Sequence, residues 1–327
     1  MKICVFGAGA IGGLLGARLA DVAPEVSVSL VARGAHLSAI RAHGLRLHDD
    51  QGARVVRLPA TDQPADLGPQ DYLIIALKAN DIPPAVDAML PLLDSTTTIV
   101  TASNGVPYWY FHEFGALSGT TLSSVDPDAR QWRLLGAGRA VGCVVYPAAE
   151  IAGPGEIRLE HGRKFPLGEP GGERSPRLQR LHEVMQRAGF DAPIRSDIRH
   201  EIWLKLVGNV CFNPISALTL ATLDLIATEP ETRSLCRQMM LETKAVGEKI
   251  GARLRVDVER RLDGAAAVGP HKMSMLQDLE RGRSMEIEPI VGAVQELGRL
   301  TETPTPVIDT VLALVRQRAR APRPTLQ

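Results

Sequence analysis

Residues 2–20, KICVFGAGAIGGLLGARLA, constrain this chain more than any other stretch, because a strand, a glycine turn and a helix follow one another directly. Ile3, Val5 and Phe6 form an apolar run of strand length, Gly7, Gly9 and Gly12 fall at the spacing G-x-G-x-x-G, and Ile11, Leu14, Leu15 and Leu19 continue with helical period. Gly7 allows a tight turn. Gly9 leaves out a side chain where a pyrophosphate must approach the backbone, and Gly12 lets the helix pack close to the strand. The first N–H groups of that helix and the positive end of its dipole suit phosphate oxygens. An ordinary strand-to-helix turn can carry similar glycines, but this one follows a strand and runs straight into a helix. Gly7, Ala8, Gly9, Ala10, Ile11 and Gly12 are therefore expected to bind a dinucleotide.

The residues that follow read as an α/β domain. Val26–Ala32 is a valine-rich second strand ending at Arg33. That strand end faces the adenosine ribose in a dinucleotide fold, where an acid suits NAD and an arginine suits the extra phosphate of NADP. No acid follows the strand and Arg33 does, so NADP is the expected cofactor. Asp71–Leu77 and Thr97–Ala102 are further buried strands, delivering Lys78 and Asn104 to the carboxyl end of the sheet where ligands of such folds lie. Leu45–Leu58 reads as a hairpin turning at Asp50-Gln51-Gly52. Ala140–Tyr146, Gly155–Glu160 and Lys164–Leu167 are later strand candidates, and Arg174–Arg187 reads as a helix ended by Gly189. Residues 106–138 form a long irregular stretch that suits a lid, an oligomer contact or a surface excursion with its own aromatic cluster.

From about Ser196 helical periodicity takes over. The fold class expected is α/β: an N-terminal Rossmann-type dinucleotide-binding domain over residues 1–195, followed by an all-α C-terminal domain over 196–327. The basic tail from Arg316 reads as a frayed end. Across 327 residues, 37 Lys and Arg balance 37 Asp and Glu. No global field then recruits nucleic acid or an anionic membrane, and a small molecule is the expected partner. Cys4, Cys143, Cys211 and Cys236 form no CxxC pair and no metal-ligand spacing. They read as reduced, mostly buried residues of a cytoplasmic protein without a metal site. No apolar run approaches the length that spans a bilayer.

In the helical half, HEIWLKLVGNVCFNPISAL places Lys205, Asn209 and Asn213 four residues apart, hence on one helix face. Trp203, Leu204, Leu206, Val207 and Val210 cover the rest with apolar groups. A stripe of one cation and two amides must face a ligand or water, because burying it unpaired is costly; a solvent-facing stripe on an amphipathic helix is the plainer alternative. Pro214 suggests that the helix bends or loosens there. Further on, HKMSMLQDLERGRSMEIEPIVGAV contains Ser274, Asp278, Arg281 and Glu286, which spacing alone reads as a charged helix.

Taken together, FGAGAIG, Arg33, LKA with Lys78, NG with Asn104, WLKLVGNVCFNP and SMLQDLERGRSMEIE, in this order along most of the chain, resemble the ketopantoate reductase (2-dehydropantoate 2-reductase) family. The resemblance implies NADPH-dependent reduction of a 2-keto acid, 2-dehydropantoate to pantoate in pantothenate biosynthesis. It implies Lys205 as proton donor and substrate contact, and Asn209, Asn213 and Ser274 as residues that hold the substrate. Lys78, Asn104 and Glu286 would contact cofactor or close the site, Asn104 touching substrate and Glu286 sharing in catalysis. A homodimer built through helical surfaces is compatible with the resemblance. The chain departs from the family pattern at Thr222, Leu223 and Asp224, where a polar substrate contact is usual, and at EIEP followed by Val291-Gly292. A paralogue acting on another branched or aromatic 2-keto acid therefore stays open, as does a non-catalytic NADP-binding sensor. No tyrosine is followed four residues later by lysine, and neither GxxxxGK[ST] nor HExxH occurs, which disfavours a short-chain dehydrogenase, a P-loop NTPase and a zinc peptidase.

Overall fold

A computed structural model of the chain describes residues 1–21, 26–252, 254 and 256–321. The chain divides into two compact units, Met1–Thr121 with Asp126–Ile198 and Leu122–Val125 with Arg199–Gln327. The division expected at 195/196 lies three residues ahead of the observed one, and the expectation did not include the short Leu122–Val125 segment.

In the first unit the strands are β1 (Lys2–Phe6), β2 (Ser27–Val31), β3 (Leu45–Asp49), β4 (Gly52–Val56), β5 (Ala60–Thr61), β6 (Tyr72–Ile75), β7 (Thr98–Thr101), β8 (Ala140–Cys143), β9 (Ala148–Gly153), β10 (Glu156–His161) and β11 (Leu167–Gly168), with helices α1 (Ala10–Ala20), α2 (Gly34–His43), α3 (Ile82–Met89) and α4 (Pro176–Arg187). Among the described residues, seven of these strands form one sheet in the order β11-β8-β7-β6-β1-β2-β5. It is parallel except for β11, which runs antiparallel to β8. Chain order reverses at β1, where Ile3 is opposite Val28 on one side and Tyr72 on the other. That reversal opens a crevice at the carboxyl ends of the strands. Ile3, Val5, Leu30 and Ile74 align on one face of the sheet and are buried in the core there, while Cys4, Leu73 and Ile75 are buried on the other, as the continuous apolar runs require.

The Asp50–Gly52 hairpin leaves this sheet and joins a second one, ordered β4-β3-β10-β9. It lies against α1 through Gly13, where a Cβ would stand 2.6 Å from Ile157 Cγ1. Arg18 of α1, 1% exposed, donates from Nε to Asp49 at 2.9 Å, pairs with Asp50, and lies over the Phe190 ring. The helix that opens at the glycine turn is thus pinned along its length. Strand β9 was not legible, since AAEIAG has neither alternation nor a buried face, and the Lys164–Leu167 strand reduces to β11 and an isolated bridge at Lys164.

Residues 106–138 contain short helical turns and an aromatic cluster. Trp109 Nε1 donates to Thr101 Oγ1 at 2.9 Å, and the Tyr110, Phe111 and Phe114 rings meet edge to face. Buried Asp126 accepts the N–H groups of Gln131 and Trp132, where a π-helical turn begins. Within the second unit, Ser123 and Ser124 donate their backbone N–H groups to the Glu296 carboxylate.

The second unit contains α5 (Ile198–Thr219), α6 (Leu223–Thr228), α7 (Pro230–Lys249), α8 (Val258–Ala266), α9 (Ser274–Glu280), α10 (Ala293–Leu300) and α11 (Pro306–Arg320). Helix α5 continues past Pro214 to Thr219, with Trp203, Leu206, Val207 and Val210 buried. Gly247 of α7 makes room for Trp203, whose Cε3 would lie 3.1 Å from a Cβ there. Helix α11 runs through Arg316 to Arg320, so the start of the expected frayed tail is helical; residues 322–327 lie outside the described residues. No described helix is long and apolar enough to cross a membrane. All four cysteines are free and buried. Burial pushes the Cys4 thiol up to about 12 against a hydrogen bond with Ser29, which leaves it an inert core group.

Candidate active site

The first unit carries the glycine loop expected to cradle a dinucleotide. Gly7, at φ +102°, turns the chain out of β1 in a conformation that L side chains rarely adopt. Its N–H and that of Ala8 both donate to the Val31 carbonyl, at 3.0 and 3.1 Å, which locks the loop onto the end of β2. Gly9 is the N-cap of α1 and offers no capping side chain; a Cβ there would meet nothing within 4 Å. Gly12 is different, because its Cβ would sit 1.8 Å from the Gly7 carbonyl oxygen. One glycine therefore keeps a space open and the other allows the turn to close. With Ala10 and Ile11 opening a helix that has no acid in its first turn, the residues present fit a pyrophosphate.

Arg33 follows β2 as the N-cap of α2, exposed and without a polar side-chain partner among the described residues. Lys78 follows β6 and Asn104 follows β7, each half-buried. All three sit at carboxyl ends of parallel strands, β2 and β6 on either side of β1 and β7 beyond β6, on the side to which the glycine loop also emerges.

His36, in the first turn of α2, carried no sequence signal. The Gly155 N–H donates to its Nδ1 at 3.0 Å, so the ring proton resides on Nε2, which is buried and makes no hydrogen bond of good geometry. Burial holds the imidazole below its ordinary value, and the nearby Ala8 carbonyl opposes this only in part. A neutral histidine thus links the glycine loop to the β9–β10 turn. Only spatial proximity reveals it.

In the second unit the expected polar face of α5 divides. Lys205 and Asn209 are half-buried, whereas Asn213 is 1% exposed and its Oδ1 accepts the Ser274 hydroxyl at 3.1 Å and the Met275 N–H at 3.2 Å. Asn213 and Ser274 are therefore brought together, with the amide fixing the start of α9 and the exposed hydroxyl beside it. Glu286 is buried ahead of the turn Glu288–Gly292. Asp278 pairs with Arg283 at 3.1 Å. Asn209 lines an open cleft whose wall also contains Leu223, one of the three residues at which the chain departs from the expected polar contact.

The family model described as "Ketopantoate reductase PanE/ApbA" matches residues 3–172, and the model for its C-terminal part matches residues 197–319. A 2-dehydropantoate 2-reductase from Mesorhizobium japonicum is 55% identical over 320 residues, covering 98% of each chain. Among solved structures, one from Ralstonia solanacearum MolK2 is 40% identical with a TM-score of 0.93, covering 98% of both chains. The 2-dehydropantoate 2-reductase of Geobacter metallireducens is 26% identical with a TM-score of 0.85, covering 97% of this chain and 99% of that one.

Proposed function

Because the chain belongs to the ketopantoate reductase family, we propose that it reduces 2-dehydropantoate to pantoate with NADPH as the hydride source. The reading is carried by the α5 face: a half-buried lysine, Lys205, and a half-buried amide, Asn209, stand on a helix among the buried apolar side chains of Trp203, Leu206, Val207 and Val210. Substrate identity draws on the full-length likeness to the Mesorhizobium reductase. The cofactor of the family is a nicotinamide dinucleotide, and Arg33 favours the phosphorylated form.

NADPH, when bound, supplies the hydride that converts the carbonyl carbon to an alcohol. The chain's own residues do the rest. Backbone N–H groups of Ala10, Ile11 and Gly12 hold the pyrophosphate, and Arg33 pairs with the ribose phosphate. Lys78 and Asn104 line the cofactor side, Asn104 reaching the substrate. As charge builds on the substrate oxygen, the Lys205 ammonium stabilises it and then gives up a proton. Asn209 orients the keto acid, Ser274 contacts it, Asn213 holds Ser274 in place by accepting a hydrogen bond from its hydroxyl, and Glu286 orients Lys205 and the cofactor ribose.

Following NADPH consumption over a panel of 2-keto acids tests the proposal. The expected result is highest kcat/KM with 2-dehydropantoate. Higher efficiency with another branched or an aromatic 2-keto acid, which the apolar Leu223 wall would accommodate, replaces the substrate. NADPH binding without turnover of any of them would leave a sensor as the better reading.

A further inference from the structure

Helices α5, α6 and α8 of the second unit line an open cleft of about 550 Å3. Leu204, Phe212 and Leu223 make much of its wall apolar, and Asn209 and Arg261 place polar groups on it. Asp257, also on the wall, is the N-cap of α8, its carboxylate accepting the Arg260 N–H.

The position of Arg261 depends on Gly208. A Cβ at residue 208 would lie 2.9 Å from Arg261 Nη2, 3.1 Å from Nε and 3.4 Å from Cζ. The guanidinium therefore turns its Nε–Nη2 edge towards the backbone of α5, one residue from Asn209. A glycine inside a helix weakens it relative to alanine, and here the missing side chain is what admits the planar fork. Guanidinium and amide side by side, next to the apolar Leu204, Phe212 and Leu223, suit a ligand with an alkyl body and a polar tip.

We propose that Arg261 determines specificity by donating a hydrogen bond to the C4 hydroxyl of 2-dehydropantoate, while Leu204, Phe212 and Leu223 receive the two methyl groups on C3. The assignment rests on the reductase reading above. Lys205 lies three residues before Gly208, a rise of about 4.5 Å along the helix, and C4 is two carbon–carbon bonds from the carbonyl carbon, so one short molecule can serve both. A site built to hydrogen-bond a substrate hydroxyl discriminates strongly against the analogue that lacks it.

The test compares 2-dehydropantoate with 3,3-dimethyl-2-oxobutanoate, which differs only in lacking that hydroxyl. Arg261→Met should lower kcat/KM for 2-dehydropantoate at least tenfold and change that for the analogue less than twofold. Gly208→Ala, which keeps the charge but displaces the fork, should show the same selective loss, so the outcome does not depend on the fold tolerating one substitution. Equal losses on both substrates in both variants would overturn the proposal, since Arg261 would then serve the shared carboxylate or the fold; unchanged kinetics would overturn it as well. A wild-type enzyme inactive on 2-dehydropantoate would sink the reductase reading and this one with it, whereas an active wild type whose variants lose both substrates alike sinks only the role of Arg261.

Discussion

Lys205, Asn209 and Asn213 share a spacing but not an environment, and their substitutions should separate accordingly. If Lys205 acts on the developing oxygen charge and the proton, Lys205→Ala should reduce kcat by about a hundredfold or more with the NADPH dissociation constant nearly unchanged. Near wild-type turnover in a variant that still binds cofactor would remove it from the mechanism. Asn209 is half-buried on a cleft wall, so Asn209→Ala should raise KM and leave thermal stability alone. Asn213→Ala exposes a different debt: the Met275 N–H and Ser274 hydroxyl lose their acceptor, and an unsatisfied buried donor costs about 1–3 kcal/mol. That variant should melt lower and also bind substrate less well, through Ser274; a KM effect with no change in Tm would instead assign Asn213 a direct contact. In the first unit, Arg33→Ala should weaken NADPH far more than NADH, and equal wild-type efficiency with the two cofactors would show that Arg33 does not select.

The glycine turn is best tested as an element, because its glycines do different work. Gly9 has negative φ and open space where its Cβ would be, so Gly9→Ala should fold with an unchanged Tm and lose cofactor affinity at least tenfold by occupying the pyrophosphate position. Gly12→Ala has no such freedom, since 1.8 Å from the Gly7 oxygen is a collision, and should reduce soluble yield or Tm before any kinetic effect is measurable. Equal behaviour of the two variants in calorimetry and cofactor titration would refute the division. These elements were legible in sequence because strand, turn and helix are local and each has its own period; β2, β6, β7, α4 and α5 were legible for the same reason. β9 was not, being held by pairing with a distant strand rather than by its own pattern. The site was half legible. Spacing put 205, 209 and 213 on one face, but whether an amide meets a ligand or a neighbouring helix depends on α9, sixty residues on, and neither His36 nor the placement of Arg261 against Gly208 follows from any local pattern.

At the scale of the whole molecule, pH should act in separate steps assigned to different groups. His36 belongs to the first unit and its pKa is lowered from 6.5 in the folded state, burial disfavouring the imidazolium. The unfolded chain then binds more protons just below that value, so its contribution is complete above pH 6.5 and is lost as pH falls from there towards the lowered folded pKa. The geometry gives the same sign, because protonation at Nδ1 would turn a proton towards the Gly155 N–H that now donates to it. A lower window belongs to carboxylates. Asp49 is raised by burial, but hydrogen bonds from Arg54, the Gln51 N–H and Arg18 outweigh this and hold it below 3.8. In the second unit, Arg237 and Arg233 take Glu259 from 4.5 to about 2. Those depressed groups contribute fully above their unfolded values and are lost as pH falls through the folded ones, below about 4. Calorimetry from pH 8 to 3 should therefore show Tm declining first below pH 6.5 and again below 4. His36→Asn, whose amide oxygen can accept the Gly155 N–H, should abolish the first decline and leave the second. A first decline that survives in His36→Asn would show that another group titrates there and that the neutral histidine under the glycine loop does not limit stability.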